Sequence, residues 1–190
     1  MKFRFKIHSF LATLILFFSF SASAMLTELG LTYGYNKKTF DANNYYQMDS
    51  KSASVSLYFT EWAAVELSYT DMFIEQQQKD SASTRVIQQS TKILGADLNI
   101  LLANRQAMLQ PYIKGGVARI SKSQTTRTDN LQTEKVDSPE ATAPSYGAGI
   151  KIKLTEAFSL KLGVEYWRTP LGDGTSSDDS SFKAGLSWMF

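Results

Sequence analysis

The chain has 190 residues, 43% hydrophobic and 20% charged, with 20 basic and 18 acidic residues and no cysteine. This composition belongs to one ordered domain and excludes a disordered or low-complexity chain. Lys2, Arg4 and Lys6 precede an apolar leader. Without them 17 basic residues face 18 acidic ones, so the sequence pI of about 8.7 carries no nucleic-acid signal.

Residues 1–24 read as a secretory signal. Three basic residues are followed by an apolar run over 10–20 and by the small residues Ala22-Ser23-Ala24. A retained membrane helix needs roughly 20 apolar residues, and this run is much shorter. The expected mature chain is 25–190. The sole histidine, His8, leaves with the signal.

From residue 26 onward the chain alternates with a period of two. Leu29, Leu31, Tyr33 and Tyr35 oppose Glu28, Gly30, Thr32 and Gly34. Ala53, Val55, Leu57 and Phe59 oppose Ser52, Ser54, Ser56 and Tyr58; Val65, Leu67 and Tyr69 oppose Ala64, Glu66, Ser68 and Thr70. The next two segments set Leu94, Ala96, Leu98 and Ile100 against Ile93, Gly95, Asp97 and Asn99, then Ile113 and Val117 against Tyr112, Lys114, Gly116 and Ala118. Tyr146, Ala148, Ile150, Ile152 and Leu154 oppose Gly147, Gly149, Lys151 and Lys153. Phe158, Leu160, Leu162, Val164 and Tyr166 oppose Ser159, Lys161, Gly163, Glu165 and Trp167. The chain closes with Phe182, Ala184, Leu186, Trp188 and Phe190 against Ser181, Lys183, Gly185 and Ser187. Such alternation, rich in Val, Tyr and Phe, predicts strands.

Short links at 60–63, 102–108 and 155–157 alternate with long polar ones at 37–51, 73–90, 120–144 and 169–180. That layout predicts an all-β fold, an eight-stranded antiparallel up-and-down transmembrane β-barrel over 25–190. A soluble β fold would share the alternation, with the apolar face as its core. Three features favour the membrane. The charged parity holds eight of the eleven glycines, which suits a narrow interior. The apolar parity is bulky, and the inside of eight strands is just wide enough for side chains. Aromatic residues also cluster at strand ends: Phe59, Trp62 and Phe158 by the short links, and Tyr35, Tyr69, Tyr146, Tyr166 and Phe182 toward the long ones. Two aromatic belts are what two membrane interfaces select.

The inward parity carries Glu28, Glu66, Asp97, Lys114, Lys151, Lys153, Lys161, Glu165 and Lys183, expected to form a charge network in the lumen. Tyr58, Tyr112 and Trp167 add bulk beside it. Two substitutions follow from the parity: Leu162→Arg, facing lipid, should be costly, and Ser56→Thr, facing inward, should be tolerated.

Leader, alternating strands, unequal links and a terminal Phe together resemble the eight-stranded outer-membrane barrels of the OmpA transmembrane-domain and OmpX type. The resemblance implies a bacterial outer-membrane location with the long loops extracellular and both termini periplasmic. It implies lipopolysaccharide and phospholipid as the surrounding lipid, and a monomer. It also implies that Leu186, Trp188 and Phe190 are the C-terminal signal read by the barrel-assembly machinery. No peptidoglycan-binding domain follows the barrel within these residues, so a cell-wall anchoring role is not expected.

Barrel enzymes of this kind rely on a histidine base, and none remains after residue 24. No catalytic residue, cofactor or metal is therefore assigned. Asp173, Asp178 and Asp179 lie near glycines but lack calcium-loop spacing. The expected function is a non-enzymatic structural or surface-exposed barrel with a filled lumen. The alternatives are a narrow channel for ions or small or hydrophobic solutes and, further off, a lipid-acting barrel enzyme.

Overall fold

The computed structural model describes residues 26–41, 43–80, 83–128, 133–137, 140–170 and 176–190. The segment read as a signal, and Asp173, lie outside them. The described residues contain no helix. The strands are β1 (Leu26–Thr39), β2 (Tyr45–Tyr58), β3 (Ala63–Lys79), β4 (Thr84–Leu101), β5 (Leu109–Thr128), β6 (Glu134–Asp137), β7 (Ala141–Lys153), β8 (Phe158–Pro170) and β9 (Ser176–Met189).

All pairings are antiparallel. They run β4-β3-β2-β1-β9-β8-β7-β5, and a β4–β5 pairing closes the cylinder. Eight long strands therefore make the wall. The short β6 is an extra strand, laid on the upper part of β5 from Ser123 to Thr126. Its four residues fall inside the longest predicted loop, and their sequence is too brief for a period to register.

Among the eight wall strands, the seam between the first and last, β1 and β9, has the shortest register, from Glu28↔Met189 to Tyr33↔Ala184. It is completed at the bottom by Thr27 and Phe190, which exchange backbone hydrogen bonds of 3.1 and 3.0 Å. Glycine permits the close approaches that the tight wall needs. A Cβ on Gly185 would sit 2.0 Å from the carbonyl oxygen of Leu31, and one on Gly116 would sit 2.1 Å from that of Ala96.

The short turns repeat a device. Thr60 Oγ1 accepts from the Ala63 amide at 2.9 Å, and Thr155 Oγ1 accepts from the Phe158 amide at 3.0 Å. Both are Thr-Glu turns in which a side chain supplies a bond that the backbone lacks.

The long links differ from expectation. Most of each one is strand: β1 and β2 are joined through 40–44, and β3 and β4 through 80–83. The register runs on to Thr39↔Tyr45 and Lys79↔Thr84. These are hairpin arms, and their sequence hid them because the pattern inverts. In the barrel β2 turns Leu57, Val55 and Ala53 outward; above, it turns Lys51, Asp49 and Gln47 outward while Met48 is buried inside. β3 does the same, with Leu67 and Tyr69 outward below and Met72 buried inside above. The pleat is unbroken. What changes is the solvent around it, from lipid to water.

Candidate functional site in the lumen

Each inward position is set by strand parity, and the lumen is stacked in layers. At the short-turn end Tyr58, Ala64, Leu101 and Tyr112 form a buried cluster. The 102–108 link turns Arg105 into this mouth, where its guanidinium carbon lies 5.0 Å from the Tyr58 ring centroid. Gln110 Nε2 donates to the Arg105 carbonyl at 2.6 Å and fixes the turn. No periodic signal marks Arg105, which sits in a link, so the sequence expectation omitted it.

Above this mouth lies the charge network. Glu28 accepts from Lys151 Nζ at 2.5 Å and from the Tyr58 hydroxyl at 2.8 Å. Lys161 reaches Glu66 at 3.1 Å and Glu28 at 3.9 Å, linking carboxylates on β3 and β1. Lys114 contacts three acids: Glu66 at 3.0 Å, Asp97 at 3.5 Å, and Glu165. Lys183 holds Glu165 at 2.5 Å and donates to Thr70 Oγ1 at 3.0 Å. Ser56 donates to Glu66 at 3.0 Å, and Ser145 donates to Asp97. Four lysines thus meet four carboxylates, and their side chains are nearly all shielded from solvent. Charges in so narrow a space are tolerable when paired and hydrogen-bonded, since an unpaired one would bear the full desolvation penalty.

Lys153 differs from the other eight predicted network residues. It lines a crevice of about 580 Å³ outside the mouth, with Glu61, Arg105, Glu156 and Phe190. The last inward position of β7 has already passed the end of the lumen, which parity alone does not reveal.

The three inward rings each face a cation. Lys151 lies 5.3 Å from the Tyr58 centroid, Lys161 lies 5.6 Å from Tyr112, and Lys183 lies 5.2 Å from Trp167. The rings fill space and stabilise the lysines through their negative faces.

Above the charges the lumen turns apolar. Met48, Met72, Ile93, Ala118, Ile120, Ala143 and Trp167 form one buried cluster. Sequence parity places Ile93, Ala118 and Trp167 inward on strands, but the layer as a whole was not expected, because Met48, Ile120 and Ala143 lie in stretches that read as links. At its rim Lys122 pairs with Asp179 at 2.5 Å. Asp179 therefore takes part in an ion pair, and no group of His, Cys, Asp or Glu suited to a metal is found among the described residues.

Between charges and walls a cavity of about 20 Å³ remains, lined by Glu66, Tyr112, Lys114, Lys161, Glu165 and Lys183 among others. It has room for about one water. The outward surface carries the aromatic positions Tyr35, Phe59, Trp62, Tyr69, Tyr146, Phe158, Tyr166, Phe182, Trp188 and Phe190, all exposed on the wall. Trp188 stacks on Phe158 with centroids 5.7 Å apart and meets Phe190 edge-on. Leu186 is exposed on the same face.

A family model described as "Outer membrane protein beta-barrel domain" matches residues 10–190. Among solved structures, the chain is similar to Neisserial surface protein A, with TM-score 0.62 and 13% identity over 90% of this chain and 99% of that one. It is also similar to the N-terminal β-barrel domain of Pseudomonas aeruginosa OprF, with TM-score 0.57 and 17% identity over 87% and 97%. The P. aeruginosa outer membrane protein OprG gives TM-score 0.53 and 13% identity over 88% and 96%. Identities this low speak for the fold alone. No curated protein matches the chain in sequence.

Proposed function

Because the chain belongs to the outer membrane protein beta-barrel domain family, and so to the bacterial outer membrane, we propose that it acts there as a closed, non-enzymatic barrel that displays its hairpin arms at the cell surface. The observation that carries this reading is the lumen. The cavity within the balanced charge network is about 20 Å³, which supports a lumen filled by side chains rather than an open path. The one histidine, His8, lies in the segment read as a leader, and this supports the non-enzymatic part.

The arms are long and polar and the opposite turns short, which supports arms outside and termini in the periplasm. We take the wall to sit in phospholipid on the periplasmic side and lipopolysaccharide on the outer side, as a monomer. The last strand, with Leu186, Trp188 and Phe190 outward, is proposed to be read by the barrel-assembly machinery. Phe190→Ser should lower the assembled fraction in cells while leaving refolding into detergent intact; an equal loss in both would reject the signal role.

Planar-bilayer recording tests the closed lumen. The purified barrel should give no reproducible single-channel steps. Regular steps would overturn the closed reading in favour of a narrow ion channel, and steps blocked by apolar solutes would favour a hydrophobic-compound channel.

A further inference from the structure

The crevice of about 580 Å³ outside the short-turn mouth is charged in a way that the lumen is not. Arg105 and Lys153 line it together with Glu61 and Glu156. Each of the four luminal lysines holds a carboxylate, but none of these four mouth residues forms an ion pair with any described residue. Two cations and two acids therefore share one concavity, and the opposite charges stand too far apart to pair directly. Lone charges on an open surface are satisfied by water. Here Arg105 and Lys153 are half-buried, and the apolar Leu26 and Phe190 line the same space.

The walls of the crevice are tied by main-chain bonds. The Lys153 amide donates to the Met108 carbonyl at 2.8 Å, which docks the 102–108 link on the end of β7. The Met189 amide donates to the Ala157 carbonyl at 2.8 Å, which docks the β7–β8 turn on β9. Gln110 Nε2 donates to the carbonyls of Arg105 and Ala107 at 2.6 and 2.9 Å. The Arg105 guanidinium itself is placed by the Met189 sulfur and the Tyr58 ring, and its remaining donors are free for a ligand.

A ligand that satisfies this crevice carries both signs of charge on a partly apolar body. A bare anion would leave Glu61 and Glu156 unanswered, and a bare cation would leave Arg105 and Lys153 so. We propose that the crevice binds a short zwitterionic peptide, its carboxylate held by Arg105 and Lys153 and its ammonium by Glu61 or Glu156. The volume lies within the ordinary range for small-ligand pockets, and the planar guanidinium suits a carboxylate. On the orientation proposed above, on which this placement rests, the site faces the periplasm.

The test is calorimetric titration of the folded chain in detergent with the tripeptide Ala-Leu-Ala. The free tripeptide should bind, and amidating its carboxylate or acetylating its amine should each weaken binding about tenfold. K153Q should weaken the free tripeptide about tenfold and bind the amidated form as the unaltered chain does. E61Q/E156Q should do the same for the acetylated form. Retained heat-modifiable mobility on SDS gels identifies folded variants, and the blocked tripeptides test the unaltered chain without any variant. No binding, or equal binding of free and blocked tripeptides, would overturn the site. Displacement by glycerophosphoethanolamine at equal concentration would also overturn it, by assigning the crevice to a zwitterionic lipid head. Orientation is read separately. The chain has no cysteine, so N43C at the β1–β2 tip should react with an impermeant maleimide on whole cells. Failure there would reject the orientation, while the titration would still judge the crevice.

Discussion

Lys114 on β5 and Glu66 on β3 meet across the lumen at 3.0 Å, although 48 residues separate them in the chain. The same ammonium also contacts Asp97 and Glu165, which makes Lys114 the residue on which three carboxylates depend. Lys114→Met should therefore destabilise the barrel by about 3–5 kcal/mol, because it strands negative charge in a buried site. The combined change K114M/E165Q restores equal numbers of lysines and acids and should recover part of that loss. Urea unfolding in lipid vesicles measures both, and a double variant no better than the single would reject the charge-balance argument.

Lipid and lumen faces respond to different chemistry. Leu162→Arg places a cation on the apolar wall near mid-strand and should cost about 2–4 kcal/mol. Ser56 is less permissive than its parity suggested, since it is 1% exposed and donates to Glu66. Ser56→Ala removes a hydrogen bond to a charged acceptor and should cost about 1.5–3 kcal/mol, while Ser56→Thr must fit a methyl group into the packed lumen. Unfolding midpoints rank the three. A neutral Ser56→Ala would show that Glu66 is held by its lysines alone.

The glycine pair Gly115 and Gly116 gives a test of wall packing. A Cβ at Gly116 meets the Ala96 carbonyl and the Asp97 backbone, whereas at Gly115 the nearest atom is 3.8 Å away. Gly116→Ala should cost about 1–3 kcal/mol or more, as an overpacked site with no flexible neighbour, and Gly115→Ala should be near neutral. The heat-modifiable shift on SDS gels reads the folded fraction, and similar behaviour would reject the close approach.

Arg105 caps the mouth, and on the closed reading proposed above the network beyond it fills the lumen independently. Arg105→Ala removes the contact with Tyr58 and should cost about 0.5–2 kcal/mol, yet bilayer recordings should stay silent. Conductance in this variant would make Arg105 the seal and shift the closed reading from the network to the turn.

The arms carry a pH dependence of their own. Tyr45 donates to Glu75 at 2.5 Å and Gln88 donates to it at 2.8 Å, and these two hydrogen bonds hold its carboxyl below the ordinary value. A depressed folded pKa means the contribution is present above the ordinary carboxylate range of roughly 4.3 and is lost as pH falls through the folded value. Backbone amides of β3 and β4 near Glu75 and Gln88 should exchange faster at pH 3 than at pH 6, relative to the intrinsic rates. Glu75→Gln should flatten that difference, and an unchanged profile would reject Glu75 as its source.

The sequence by itself determined the side of the wall on which each residue of the barrel stands. It could do so because the pleat alternates residue by residue and needs no knowledge of distant chain: Glu28, Lys161 and Lys183 face in and Leu31, Leu162 and Trp188 face out on parity alone. It also marked the short turns and the ordered final strand. Tertiary structure decided the rest. Which lysine meets which acid depends on closure, shear and depth, so Lys114 reaches three carboxylates while Lys153 passes the end of the lumen. The arms were hidden because apolar residues face lipid in the wall but face one another above it. An alternation whose sign reverses cancels when read as one pattern. Parity is local, and partnership is a property of the closed cylinder.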